Sequence, residues 1–259
     1  MTKQGTRVTK RGQAPIRKAG STATDARGVH REAIGIFAKA PVPGRTKTRL
    51  IPLLGEEGAA AFHRAALLDT LAIVRVTRVP FTLFITPASD RSIFEQLSVD
   101  PSMLRPQGGG SLGSRMARAL TQLLQAGTTE RAVLIGTDSP DLPPDRILGA
   151  LRSLLAAPAA LAPAFDGGYT VIGCQKKLAA NHDLRTLFAK VPWSTSETLR
   201  ETVGAFCAVG AKPRILEPWR DVDEPADFDA LVERCRILEL TGQPLPSNTT
   251  VFLREHGYL

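Results

Sequence analysis

Four cations fall within eleven residues of a Pro/Gly-punctuated stretch: Lys39, Arg45, Lys47 and Arg49 in KAPVPGRTKTR. Pro43 and Gly44 break any regular helix there. Glycine lets backbone N–H groups approach a phosphate, and Lys or Arg side chains neutralise its charge. This chemistry suits polyphosphate binding, although the spacing is neither the Walker A pattern nor Gly-x-Gly-x-x-Gly. The plainer alternative is a solvated basic loop.

The second group is GTDSPDLP at 136–143. Asp138 follows a fully apolar run, where a carboxylate must be paired or bind a metal to offset its desolvation. Hard oxygen ligands suit Mg²⁺ or Mn²⁺, which commonly take one or two carboxylates plus substrate phosphates. Asp141, three residues on, reads better as a cap for the next helix. The third group is DVDEP at 221–225. Asp221 and Asp223, two apart on an extended segment, point the same way, and either would complete a metal site with Asp138. Asp223 also fits a helix start.

Softer signals surround these. QGGGSLGSR at 107–115 is a flexible loop opening a helix, an anion or nucleobase site with Arg115 as its cation. Asp166-Gly167-Gly168-Tyr169 has strong turn chemistry. Trp193 could stack on a sugar or base, and Ser194 with Glu197 fits a capping box. No convincing Ser/His or Cys/His pair is evident, which weakens a covalent-nucleophile reading. Cys174, Cys207 and Cys235 are dispersed and read as buried small hydrophobes. The four histidines show no metal-ligand spacing, and His63 reads as a helix-surface residue.

The elements that must position these residues alternate. Apolar runs at 33–39, 81–86, 103–105, 132–136, 159–163, 169–173 and 214–216 read as strands. Periodic stretches at 56–76, 91–97, 112–125, 144–156, 194–209 and 224–240 read as helices. Strand–helix alternation predicts a single three-layer α/β/α sandwich with a mostly parallel sheet. In such sheets ligands bind beyond the carboxyl ends of strands, where all three acidic and basic groups fall.

The 259 residues are 43% hydrophobic and 22% charged, which excludes a wholly disordered chain and any collagen-like or disulfide-scaffold protein. No apolar run approaches the roughly 18–20 residues of a membrane span. The net charge of +8 is uneven: residues 1–32 carry eight basic and two acidic side chains. That leader reads as disordered. It has no continuous apolar segment of secretory type, so the body, 33–240, is expected to be cytoplasmic. Residues 241–259 form an extension with no evident role. Three readings stay open: glycosyl transfer, nucleotidyl transfer, and a non-catalytic nucleotide- or nucleic-acid-binding protein using the basic leader. The last has no need for Asp138 and Asp223 together.

Six ordered motifs resemble the GT-A superfamily of nucleotide-diphospho-sugar transferases: AKAPVPGRTKTRL (38–50), SLGSRM (111–116), GTDSPDLP (136–143), PAFDGGYTVIG (163–173), PWST (192–195) and DVDEPADF (221–228). More narrowly they resemble its bacterial glycosyltransferase-like family, some members of which are named arsenosugar biosynthesis glycosyltransferases. KTRL at 47–50 is also similar to phospholactate guanylyltransferases. The resemblance implies a Rossmann-like GT-A fold, a nucleotide or nucleotide-sugar donor, a small-molecule acceptor and a divalent metal. It implies that Lys39, Lys47, Arg49 and Asp138 are catalytic. It gives the donor nucleotide to Ala38, Pro43, Gly44, Arg45, Gly113, Arg115 and Thr137. It places Asp166, Gly167, Gly168, Tyr169, Trp193, Ser194 and Thr195 on the substrate, and Asp138, Asp223 and Asp221 on the metal. Two departures leave glycosyl and nucleotidyl transfer both open: Asp138 and Asp141 are one residue wider than Asp-x-Asp, and no Gly-x-Gly-x-Arg start is present.

Overall fold

The computed structural model describes residues 31–97 and 99–259; most of the basic leader lies outside the described residues. A seven-stranded sheet runs through the centre, in the order β3-β2-β1-β4-β6-β5-β7. The strands are β1 (Glu32–Lys39), β2 (Phe81–Thr86), β3 (Leu104–Pro106), β4 (Arg131–Ile135), β5 (Ala159–Pro163), β6 (Tyr169–Gln175) and β7 (Arg214–Ile215). All run parallel except β6, which is antiparallel to both β4 and β5. Strand β1 starts one residue inside the expected leader, because the Glu32 carboxylate is buried and pairs with Arg131 at 3.1 Å.

The apolar runs read as strands because both faces are covered. On one face, Ile34, Ile36, Val133 and Ile135 pack against Leu67, Leu71 and Val74 of α1 (Ile51–Thr77) and Ile147 of α4 (Pro144–Ser153). Phe94 of α2 (Arg91–Glu95) joins them. The alternate residues Ala33, Phe84, Ala132 and Leu134 face α3 (Leu112–Gln125). The same layer holds α5 (Lys176–Asn181), α6 (Leu184–Phe188) and α7 (Thr198–Ala208). Gly35 sits where β1 passes under Leu134: a Cβ there would lie 2.2 Å from Leu134 Cδ2.

The sequence reading needs several corrections. Helix α7 begins at Thr198, not Ser194, because Ser194 has φ 62°, a left-handed geometry that ends the expected capping box. Asp141 caps nothing; Pro143 is the N-cap of α4, and Asp141 instead binds Arg234 Nε at 2.7 Å. Cys174 and Cys235 are buried, but Cys207, on the outer side of α7, is exposed. Among the described residues, no helix is long and apolar enough to cross a membrane.

A third apolar cluster ties the C-terminal segment to the domain. The outer face of α1 meets α8 (Pro225–Leu240) and α9 (Ser247–Glu255). Phe62 contacts Phe228 with ring centroids 5.3 Å apart and Phe252 at 5.7 Å. The Asp69 carboxylate accepts from the Asn248 and Thr249 N–H groups at 2.8 and 2.7 Å, satisfying donors at the α9 N-terminus. Phe252→Ala is therefore expected to destabilise the whole domain by about 3 kcal/mol or more, read as a lower urea midpoint in a single cooperative transition.

Candidate active site

The carboxyl ends of β1, β4, β5 and β7 open on one edge of the sheet, where Asp138 and Asp223 meet. The Val222 N–H donates to the Asp138 carbonyl at 2.8 Å, and the Ser139 hydroxyl donates to the Arg220 carbonyl at 3.1 Å. These bonds hold the loop after β4 against the segment before α8. Glu224 and Asp227 supply the α8 start: the Asp227 carboxylate accepts from the Asp223 and Glu224 N–H groups. The Asp223 side chain is thereby left for the cleft.

Lys47 joins the two carboxylates. Its ammonium lies 2.5 Å from Asp138 Oδ1 and 2.7 Å from Asp223 Oδ1, and it donates to the Val222 carbonyl at 2.6 Å. The Lys47 side chain is only 4% exposed, whereas Asp138 and Asp223 are 41% and 43% exposed. The Lys47 backbone is left-handed, φ 46° and ψ 43°, a geometry uncommon outside glycine, and it is fixed by the turn into the short 3₁₀ segment Thr48–Leu50. Burial works to lower the Lys47 pKa, but the facing carboxylates outweigh it and hold it above its ordinary value. Burial likewise works to raise Asp138, and Lys47 outweighs it, holding that carboxyl below the usual range.

Around this centre lies a cleft of about 570 Å³ into which Lys39, Lys47, Arg49, Arg115, Thr137 and Asp138 converge. Arg115 is fixed by Gln107, whose Oε1 accepts from Arg115 Nη1 at 2.7 Å while its Nε2 donates to the Phe84 carbonyl at 3.0 Å. An adjoining compartment of about 270 Å³ contains Asp221, Gly168, Tyr169 and Trp193, and shares Asp138, Asp166, Ser194 and Thr195 with the first. Gly113 makes room for Trp193: a Cβ there would lie 2.5 Å from Trp193 Nε1. Gly167, at φ 90°, packs directly on the Ser196 backbone and seats the β5–β6 turn against the Trp193 segment.

Some expected positions lie outside the cleft. Arg45 is turned away and pairs with Asp90 at 3.3 Å. Gly44 faces the Glu56 carboxylate, Ala38 is buried in the sheet, and Pro43 is exposed without lining the cavity.

His63 corrects the sequence reading most sharply. It is 3% exposed rather than on the helix surface, it borders the cleft, and its Nε2–H donates to the Lys39 carbonyl at 3.0 Å. Burial pushes its pKa down, against the opposing pull of Asp138. The available signal was its place on one helical stripe with Ala59, Ala66 and Thr70, all of them buried. Gln107 was quoted only as part of a motif, and its anchoring of Arg115 depends on β1 and β2 carbonyls distant in sequence.

The donor set fits magnesium or manganese of the substrate-bridged kind. Asp138 and Asp223 offer hard oxygen atoms beyond those Lys47 holds, and both side chains are partly exposed. Among the described residues, no group of three or more His, Cys, Asp or Glu is arranged to hold a metal alone. Substrate phosphates would have to complete the shell.

The fold is that of the nucleotide-diphospho-sugar transferases. A Desulfovibrio desulfuricans G20 protein, provisionally assigned as a nucleotide-diphospho-sugar transferase, superposes with a TM-score of 0.78 at 29% identity, covering 88% of this chain and 95% of that one. A nucleotidyl transferase from Methanothermobacter thermautotrophicus (TM-score 0.54, 13% identity, 79% and 97% covered) shares the fold. So does a 4-diphosphocytidyl-2C-methyl-D-erythritol synthase (0.50, 14%, 78% and 97%). Residues 69–195 match the family described as uncharacterized protein conserved in bacteria, DUF2064. No curated protein matches the sequence.

Asp221 supplies a pH test. Burial, then Asp166 and Asp223, push its carboxyl up to about 7. A carboxyl raised in the folded state binds more protons there than when unfolded. Its contribution to stability is therefore full below about pH 4 and is lost as pH rises through 7. Asp221→Asn removes that loss. In chelator-containing buffer its stability relative to the parent should rise from pH 4 to a plateau above pH 7, measured by urea unfolding across pH.

Proposed function

We propose that this protein is a metal-dependent transferase using a nucleotide-bound donor, and that the reaction is glycosyl transfer from a nucleotide-diphospho-sugar. The observation that carries the reading is the Lys47-bridged Asp138–Asp223 pair at the mouth of a cleft that also holds Lys39, Arg49 and Arg115. The Desulfovibrio relative, 29% identical over most of both chains, supports the transferase class.

In this reading Lys39, Arg49 and Arg115 bind and orient the donor phosphates by charge-assisted hydrogen bonds. Thr137 and the 111–115 helix start lie beside them. Asp138 and Asp223 would hold a divalent ion, which when bound would neutralise charge on the donor phosphates and the leaving oxygen. Lys47 keeps the two carboxylates at fixed spacing, so part of the organisation is already present in the fold. An acceptor hydroxyl attacks the anomeric carbon, the bond from that carbon to the phosphate oxygen breaks, and the nucleoside diphosphate leaves with the electron pair. The hydroxyl proton passes to water. Cytoplasmic location and magnesium as the ion belong to the same proposal.

The density of cations in the larger compartment favours one second reading, nucleotidyl transfer from a nucleoside triphosphate. The two differ in product. Phosphorus NMR of the protein with Mg²⁺, NDP-sugars or NTPs, and a small-molecule extract as acceptor should show nucleoside diphosphate and no pyrophosphate. Pyrophosphate release would establish the second reading instead. Asp138→Asn should lower turnover by about 100-fold or more while keeping the native circular dichroism spectrum. Full activity in that variant would remove Asp138 from the mechanism.

A further inference from the structure

The two compartments differ in charge. The larger one gathers Lys39, Lys47, Arg49 and Arg115 alongside Asp138, Asp166 and Asp223. The smaller one contains Asp138, Asp166 and Asp221 among its lining residues, and no Lys, Arg or His. Its walls are apolar or aromatic, with Phe37, Leu112, Met116, Tyr169 and Trp193, and the hydroxyls of Ser194, Thr195 and Thr198 complete the lining. Lys47, which lines the larger compartment, is held by Asp138 and Asp223 and by the Val222 carbonyl.

From this we infer that the smaller compartment is the acceptor site, and that it selects a neutral or cationic hydroxyl compound with an apolar face over a phosphorylated one. The inference rests on the transferase reading above and names its acceptor class. A phosphate monoester brought here would lose hydration and face Asp166 and Asp221 with no Lys, Arg or His in the lining, Asp138 being engaged by Lys47. A sugar-like or polyol acceptor carries no negative charge for those carboxylates to repel. Its hydroxyls donate to carboxylates, which act only as acceptors when ionised. Its apolar face packs on the Trp193 and Tyr169 rings.

The Asp166 turn presents one carboxylate oxygen for this. Asp166 Oδ1 accepts from the Gly168 N–H at 2.8 Å, fixing the side chain at the compartment edge.

The test uses the full chain carrying Trp219→Phe, which leaves Trp193 as the sole tryptophan. Its fluorescence is titrated, with UDP and Mg²⁺ present, against phenyl β-D-glucoside and against the 6-phosphate of the same glycoside. The parent glycoside should bind at least about tenfold more tightly than its phosphate, a difference of about 1.4 kcal/mol. Asp166→Asn combined with Asp221→Asn should narrow that ratio by improving the phosphate's binding. Equal or tighter binding of the phosphate, or no response of Trp193 to either glycoside, would overturn the acceptor assignment. Calorimetry of UDP, GDP, ADP and CDP with Mg²⁺ on the same samples separates the two layers. Binding of none of them would overturn the transferase reading, and this inference with it.

Discussion

An ammonium group buried between two carboxylates is favourable only if the geometry is tight, because all three groups give up hydration. Lys47 meets that condition with contacts of 2.5 and 2.7 Å to Asp138 and Asp223, and a third bond to the Val222 carbonyl. The three partners come from the loop after β1, the loop after β4 and the segment before α8. The interaction therefore helps fix the mutual positions of three chain segments, together with the Val222–Asp138 and Ser139–Arg220 hydrogen bonds. The left-handed backbone at Lys47 is tolerated because those contacts over-determine it.

Around that point the sheet does the rest. Six strands run parallel, so their carboxyl ends deliver Lys39, Asp138 and Asp166 to one edge. The single antiparallel strand, β6, starts at that edge and brings Tyr169 with it. The edge divides into a side that gathers Lys and Arg and an acidic, aromatic side. A transferase has a use for that asymmetry, because donor phosphates and acceptor must lie side by side without competing for the same ground.

Most of the framework was legible because its signals are local. Apolar runs bounded by Pro and Gly marked the strands, and apolar residues at helical spacing marked α1. Asp138 stood out because a carboxylate closing an apolar strand needs a partner. What was not legible depended on tertiary contact. His63 looks like any polar residue in a helix until Lys39 folds over it. Asp141 looks like a cap until Arg234, far along the chain, reaches it. Arg45 shares a basic run with Lys47 and Arg49 and reads as the weaker candidate of the group; it pairs with Asp90 outside the cleft. The Ser194–Glu197 spacing satisfied a capping pattern, and the left-handed Ser194 shows that spacing alone does not set a helix start.

The central claim is that Lys47 and Asp138 depend on each other. A double-mutant cycle tests it most directly: urea unfolding of the parent, Lys47→Met, Asp138→Asn and the double variant at pH 7 with chelator present. The account predicts that each single change is destabilising and that the double variant is more stable than their sum, with a coupling of about 1–3 kcal/mol. Additivity to within about 0.5 kcal/mol would mean that the ammonium does not hold the carboxylate, and that the cleft is organised by something else.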